Sequence, residues 1–264
     1  MTPLSQCPKA ILANIRGVFT DIDETVSTES HLTAEAYGAL AALKKAGLLV
    51  VPVTGRPAGW CDHIARFWPV DAVVGENGAF WMWHDRRVRK LRTRFVQTDI
   101  ERAEGRRKLE TVRAEVLREV PGAGIASDQP YRLADLAIDF CEDVPPLPRP
   151  EVERIVAIFK RHGAEAKISS IHVNGWFGKY DKLTTTRTMM RELFGVDLEA
   201  DRDAYVFSGD SPNDAPMFDF FPNGVGVANV RDFADAMPHL PTWITTARSG
   251  VGFVELARVL VAAR

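Results

Sequence analysis

Residues 15–25 read IRGVFTDIDET, a short apolar run that ends in two carboxylates, Asp21 and Asp23. In an extended strand, residues two apart project to the same side, so these carboxylates would lie close together where the strand ends. Like charges at such a distance repel each other unless a cation, a positive side chain or a shifted pKa compensates them. The pair therefore indicates a chemical site. The alternative is a solvated acidic loop, because short acidic motifs also occur by chance.

The length and composition of the chain are those of a globular protein. It has 264 residues, of which 46% are hydrophobic and 26% charged, enough for one large α/β domain or two domains that share a site. The net charge of −2 gives no bulk attraction to nucleic acid or to an anionic membrane. The sequence does not specify an oligomeric state.

The cysteines and the N-terminal segment bear on the cellular compartment. Three cysteines without CxxC spacing indicate neither a disulfide framework nor a zinc site. The first residues make a poor signal peptide, and no apolar stretch is long enough for a membrane helix. We therefore expect a cytoplasmic protein.

Three strand and helix units are expected in the first 78 residues. The strands end at Asp21, Val53 and Val74, and Thr33 is a candidate N-cap for the helix after the first strand. Each strand is followed by a small or polar loop, which is typical of a Rossmann-like, doubly wound parallel sheet. Ligands of such sheets bind at the carboxyl ends of the strands.

The middle of the chain has a different pattern. It predicts a hairpin over residues 80–91, helices over 99–119 and 152–161, strands over 133–140 and 167–173, and a proline-rich connector at 144–150. The first pattern returns from Lys179, with helices over 183–194 and 252–262 and strands over 204–208 and 224–228. We therefore expect an α/β core of residues 1–83 and 179–264, with an inserted α/β cap domain of residues 84–178.

Further polar motifs follow the expected strands of the core. Thr54 and Gly55 end the second strand, Lys182 begins the helix after the insert, and Asp210 and Asp214 follow a later strand. Carboxylates gathered at one sheet edge require a hard cation, and motifs without His or Cys favour Mg²⁺ over Zn²⁺. A hydroxyl, backbone N–H groups and an ammonium group beside that cation match a phosphoryl group.

A carboxylate at such a site can attack phosphorus and form an aspartyl-phosphate, which water then hydrolyses. Asp21 is the candidate nucleophile. Asp23 is placed to protonate the leaving alkoxide and then to deprotonate the hydrolytic water.

The segments DIDET, TGR, the later lysine and GDSPND resemble, in order, the four motifs of haloacid dehalogenase (HAD) superfamily phosphatases. The segment GENGA at 75–79 and the large insert resemble the Cof-type, or class IIB, subfamily with an α/β cap, which includes sucrose-phosphate and mannosylphosphoglycerate phosphatases. The resemblance implies Mg²⁺ held by Asp21, the backbone carbonyl of Asp23 and Asp210, with Asp214 in support. It also implies phosphate contacts from Thr54, Gly55, Lys182 and Asn213.

Two positions depart from the family pattern or leave it ambiguous. Glu24 stands where these phosphatases commonly have Gly, which adds a charge near the site. Lys179 and Lys182 both lie near the place of the motif lysine. We favour Lys182 because it directly precedes the helix.

Weaker signals lie in the insert. Residues 86–119 contain twelve Lys or Arg and six acidic residues, a pattern typical of a solvated helix face that could also attract anionic substrates. No nucleic-acid recognition motif accompanies this charge. Arg56, His172 and Asn174 are candidates for contacts with the substrate, and ordinary sheet residues are the alternative for the last two.

The combined pattern predicts a Mg²⁺-dependent phosphatase that hydrolyses a small phosphomonoester such as a sugar phosphate. Two alternatives stay open at this point. The first is a phosphomutase or phosphotransferase that uses the same aspartyl-phosphate. The second is a non-catalytic sugar-phosphate sensor, disarmed by Glu24.

Overall fold

The computed structural model describes residues 1–169 and 171–264. Its strands are β1 (Thr2–Pro3), β2 (Gly17–Thr20), β3 (Leu49–Pro52), β4 (Val73–Gly75), β5 (Phe80–Asp85), β6 (Lys90–Phe95), β7 (Gly124–Ile125), β8 (Leu136–Asp139), β9 (Glu165–Ile168), β10 (His172–Trp176), β11 (Tyr205–Gly209), β12 (Val225–Gly226) and β13 (Trp243–Ile244). Its α-helices are α1 (Lys9–Asn14), α2 (Ala34–Lys45), α3 (Ala58–Phe67), α4 (Asp99–Glu119), α5 (Arg149–Arg161), α6 (Lys182–Met189), α7 (Leu198–Asp201), α8 (Ala215–Phe220) and α9 (Ser249–Ala262).

A parallel six-stranded sheet forms the core, in the order β1-β13-β12-β11-β2-β3. The central strand β2 is buried on both faces, which explains why its sequence is continuously apolar instead of alternating. Val18 belongs to a hydrophobic cluster with α2, α3 and α9, and its neighbour Phe19 belongs to the cluster on the other face, with α6 and α8. The expected doubly wound sheet is confirmed.

The register of the central strands brings the expected site residues to one edge. Thr20 lies opposite Pro52 of β3 and opposite Ser208 of β11. The backbone N–H of Asp21 then donates to the carbonyl of Ser208 at 2.8 Å. The residues that follow β2, β3 and β11 therefore leave the sheet side by side.

A second, antiparallel sheet has the strand order β7-β8-β10-β9 and packs on α4 and α5. Its hydrophobic cluster is separate from the two clusters of the core sheet. The chain therefore has the α/β core with an inserted α/β unit that the sequence predicts. Among the described residues, no helix has the length and apolar character needed to cross a membrane.

The expected domain boundary at residues 83 and 84 falls inside β5. This strand pairs with β4 on one side and β6 on the other, so the hairpin of β5 and β6 continues the core. We propose that the cap unit consists of residues 99–176, from the beginning of α4 to the end of β10.

The expected single strand over residues 167–173 is wrong. Two antiparallel strands, β9 and β10, occupy this region, and residue 170 of the expected strand lies outside the described residues. No Gly or Pro stands between Ile168 and His172 to mark the reversal of strand direction. The hydroxyl of Ser169 accepts a hydrogen bond from the backbone N–H of His172 at 2.9 Å.

Helix α4 and the Thr33 N-cap of α2 are confirmed.

Glu76 connects the core to the cap unit. One carboxylate oxygen accepts hydrogen bonds from the N–H groups of Ala58 (3.0 Å) and Leu133 (2.8 Å), and the other from those of Ala134 (2.6 Å) and Asp135 (3.1 Å). The side chain is fully buried. These bonds hold residues 133–135 against the beginning of α3.

Replacing Glu76 with Gln should lower the free energy of unfolding by about 2–3 kcal/mol, because the amide would set an NH₂ group against two backbone N–H donors. Urea denaturation of the purified variant measures the change. Glu110→Gln on exposed α4 is the matched control and should change the free energy of unfolding by less than about 0.5 kcal/mol. Equal stabilities of the two variants would contradict this role of the Glu76 carboxylate.

Candidate active site

Three buried carboxylates meet at the carboxyl edge of the core sheet. Asp21 follows β2, Asp210 follows β11, and Asp214 directly precedes α8. One oxygen of each lies within 4.8 Å of the others. The ammonium of Lys182, the first residue of α6, lies 3.1 Å from Asp21 Oδ1 and 2.8 Å from Asp214 Oδ1. The structure thus brings together four of the residues singled out from the sequence.

The local chain folds to present these groups. The second oxygen of Asp214 accepts hydrogen bonds from the N–H groups of Asp210 (3.1 Å) and Ser211 (3.4 Å), which closes the loop. A Cβ at Gly209 would lie 2.4 Å from that oxygen, so only Gly fits there. Thr25 donates its hydroxyl to Asp210 at 3.2 Å. Thr25 is not among the residues singled out from the sequence, although it stands inside the DIDET segment.

The pKa values of this cluster are shifted because several carboxylates are buried close together. Burial, together with Asp214 and Asp23, raises the pKa of Asp21 to about 7 against the opposing effect of Lys182. Burial, together with Asp214 and Asp21, also raises the pKa of Asp210. Burial alone would lower the pKa of Lys182, but Asp21 and Asp214 outweigh it and raise that pKa. One ammonium thus faces three carboxylates, and the site can accept further positive charge.

Asp23 lies outside this cluster and pairs with Arg56. The guanidinium contacts the carboxylate through Nε at 2.9 and 3.1 Å and through a terminal nitrogen at 2.8 Å. It also stacks on the ring of Trp60 and reaches two cap carboxylates, Asp128 at 3.6 Å and Glu142 at 3.5 Å. Arg56 therefore connects Asp23 to the cap unit.

The other expected phosphate-binding residues lie next to the cluster. The hydroxyl of buried Thr54 accepts a hydrogen bond from the backbone N–H of Arg56 at 3.0 Å. The side chain of Asn213 accepts one from the hydroxyl of Ser211 at 2.8 Å. The carbonyl of Gly55 accepts a hydrogen bond from Arg132 of the cap unit at 3.0 Å.

His172 and Asn174 project from β10 into the space between the two units. His172 Nε2 lies 2.8 Å from the Glu142 carboxylate, and the amide of Asn174 donates to Asp135 at 3.1 Å. Both side chains are buried. Together with residues of the core they line a cavity of about 20 Å³, with room for about one water molecule. We call it the catalytic cavity, and at this size the two units are closed against each other.

The buried charges of the cap unit are not marked by any motif in the sequence. Arg132 makes paired contacts with Asp128 (2.9 and 3.0 Å) and with Asp135 (3.0 and 3.1 Å). Burial opposes the charge of Arg132, but these carboxylates raise its pKa further. The sequence shows charged residues in a loop, but only the structure shows which of these residues are buried.

The structure separates the two candidate lysines. Lys179 is exposed and lies outside the carboxylate cluster, whereas the ammonium of Lys182 is in it.

Glu24 has a left-handed backbone, with φ of 54°, which favours Gly at this position. Its carboxylate accepts hydrogen bonds from the N–H of Ser30 (3.2 Å) and the hydroxyl of Ser249 (3.0 Å), so it serves loop contacts.

Comparison with known proteins agrees with this arrangement. The model of the haloacid dehalogenase-like hydrolases matches residues 18–102, the segment with the first carboxylates and the TGR loop. The resemblance to the HAD superfamily is thereby confirmed. No curated protein sequence matches the chain.

Solved structures of three phosphatases share the fold of nearly the whole chain. The C-terminal domain of trehalose-6-phosphate phosphatase from C. albicans has 11% identity and a TM-score of 0.70, with 99% of this chain and 98% of that chain covered. The sucrose-phosphatase of Synechocystis, solved with sucrose and phosphate, has 13% identity, a TM-score of 0.64 and coverages of 93% and 98%. A HAD subclass IIB sugar phosphatase has 15% identity, a TM-score of 0.59 and coverages of 88% and 93%. At these identities the similarity shows the fold alone.

Lys182→Met should lower the free energy of unfolding by about 3 kcal/mol, because it leaves buried carboxylates without their cation. Lys179→Met removes the same charge from an exposed position and should change the free energy of unfolding by less than about 0.5 kcal/mol. Urea denaturation at low ionic strength, in a chelating buffer, compares the two variants. A larger loss of stability for Lys179→Met would refute the placement of Lys182 in the cluster.

Proposed function

We propose that this protein is a Mg²⁺-dependent phosphatase that hydrolyses a small phosphomonoester, a sugar phosphate, through an aspartyl-phosphate. The observation that carries the proposal is the contact of the Lys182 ammonium with Asp21 inside a buried cluster of three carboxylates. This cluster lies beside the Thr54 and Gly55 loop at the carboxyl edge of a parallel sheet. The match of residues 18–102 to the model of a hydrolase family supports the same reaction class.

The donor set of the cluster fits Mg²⁺. Its ligand atoms are all carboxylate oxygens, which a hard cation prefers, and Lys182 alone does not balance their charge. Asp21 and Asp210 would hold the ion with the backbone carbonyl of Asp23, and Asp214 would support them. When bound, the ion supplies electrostatic stabilisation to the oxygens of the phosphoryl group.

The residues of the chain then divide the reaction between them. A carboxylate oxygen of Asp21 forms a bond to phosphorus while the bond from phosphorus to the leaving oxygen breaks. Asp23 gives its proton to the leaving oxygen and later takes one from the water that attacks the aspartyl-phosphate. Lys182, Thr54, Gly55 and Asn213 bind the phosphoryl oxygens.

The cap unit admits and selects the substrate in this proposal. The catalytic cavity holds about one water molecule in the closed arrangement, so a sugar phosphate enters only when the two units separate. Opening breaks the bond from Arg132 to the carbonyl of Gly55 and the contacts of Arg56 with Asp128 and Glu142. Arg56, His172 and Asn174 then contact the substrate as the cap unit closes again.

Sugar phosphates are the proposed substrate class because two of the structural neighbours bear the names sucrose-phosphatase and trehalose-6-phosphate phosphatase. The contacts of Glu24 do not favour the sensor alternative, since its carboxylate is bound to loop groups. The cytoplasmic location expected from the sequence stays a prediction.

Asp21→Asn should reduce the hydrolysis of p-nitrophenyl phosphate by about 1,000-fold or more, because the amide is not a nucleophile. The matched control is Asp235→Asn, an exposed position, which should retain wild-type activity. The assay measures inorganic phosphate with and without an added sugar. Release of phosphate supports the hydrolase, transfer to the sugar supports the phosphotransferase alternative, and an unchanged rate in Asp21→Asn refutes the nucleophile.

Addition of Mg²⁺ to metal-free protein at about ten times its Kd should raise Tm by about 2–4 °C, because the ion binds the folded state alone. Excess EDTA should reverse the shift. Asp210→Asn should abolish the shift, and Asp235→Asn should keep it. An equal shift in Asp210→Asn and wild type would place the ion elsewhere.

A further inference from the structure

A second, larger pocket lies between the cap unit and the core. It has a volume of about 390 Å³, within the range of about 300–1,000 Å³ found for ligand pockets. Its walls come from β9, the end of β10, the segment 179–184 and the beginning of α8. Asn213 lines both this pocket and the catalytic cavity, and Lys182 lies in its wall. We call it the side pocket.

Three side chains of the side pocket keep a buried polar atom without a partner among the described residues. They are Asn77, with its Nδ2, Trp176, with its Nε1, and Tyr180, with its hydroxyl. Each side chain is at most 5% exposed. Buried donors are normally satisfied by protein, water or ligand, and these three lie in one wall of the side pocket without such a partner.

Two exposed lysines add positive charge to the same pocket. Among the described residues, the lysines in ion pairs are Lys44, Lys108 and Lys182, whereas Lys167 and Lys179 form none. The acidic residues of the wall are Glu165 and Asp181. Asp181 is engaged by Thr184, whose N–H and hydroxyl bind its carboxylate at 2.7 and 2.9 Å. The side pocket thus has the two ammonium groups of Lys167 and Lys179 and one carboxylate, that of Glu165, with no partner among the described residues.

The strand register connects the side pocket to the catalytic cavity. Lys167 of β9 lies directly opposite Asn174 of β10, so both side chains project from the same face of the cap sheet. Asn174 lines the catalytic cavity and Lys167 the side pocket. A substrate whose phosphoryl group contacts Asp21 can therefore extend along this face to Lys167.

We propose that the side pocket binds a second anionic group, a carboxylate or a second phosphate, on the leaving group of the substrate. The substrate class is then an acidic sugar or polyol phosphate, and Lys167 and Lys179 determine the preference for it. This inference rests on the proposed phosphatase function.

The test compares kcat/KM for pairs of substrates that differ in the second acid group. The pairs are 6-phosphogluconate with glucose 6-phosphate, 3-phosphoglycerate with glycerol 3-phosphate, and fructose 1,6-bisphosphate with fructose 6-phosphate. Wild type should prefer the acidic member of at least one pair. The first two pairs report on a carboxylate and the third on a phosphate.

The double variant Lys167→Gln and Lys179→Gln should lower kcat/KM for the preferred acidic member about five- to tenfold more than for its neutral partner, mainly through KM. Lys160→Gln, an exposed position on α5, is the matched control and should leave the ratio within a pair unchanged. An unchanged ratio in the double variant, or a wild-type preference for every neutral member, would overturn the inference.

Hydrolysis of p-nitrophenyl phosphate separates this inference from the proposed function. If wild type hydrolyses this compound and Asp21→Asn does not, the proposed function stands, and an unchanged ratio overturns the side pocket alone. If wild type hydrolyses no member of the panel, the proposed function fails and the inference falls with it.

Discussion

The contact of Lys182 with Asp21 and Asp214 is the interaction on which the rest of the site depends. A parallel sheet places the residues after β2 and β11 side by side, so three carboxylates are buried within one small volume. Desolvation by burial and then mutual repulsion raise the pKa values of Asp21 and Asp210, and one buried ammonium offsets only part of this effect. Binding of a further cation, as proposed for Mg²⁺, would therefore stabilise this cluster.

The charges around this centre extend into the cap unit. Arg56 holds Asp23 on one side and two cap carboxylates on the other, while Arg132 reaches from the cap to the carbonyl of Gly55. Separating the two units would break these ion pairs, which costs free energy wherever a charge stays buried without its partner. Glu76 holds the segment that carries Arg132 against the core, so its hydrogen bonds to that segment must also break if the two units separate.

Much of this arrangement could be predicted because the rules behind it are local. An apolar strand that ends in polar residues, repeated along the chain, places Asp21, Thr54 and Asp210 at one edge from the sequence alone. The pairing of Asp23 with Arg56 could not be predicted, because it depends on the direction of a loop after the strand. The burial of Arg132 could not be predicted because no motif spacing marks it, and the reversal of direction between β9 and β10 could not because no Gly or Pro stands there.

The central claim is that the phosphoryl group of the substrate passes to Asp21. The most direct measurement is a single turnover with enzyme in excess, stopped in acid within the first turnover, followed by mass spectrometry of peptides. The account predicts one phosphoryl group on Asp21 that disappears as inorganic phosphate forms. A phosphoryl group on any other residue, or phosphate release with no phosphorylated enzyme at any time during the turnover, would contradict it.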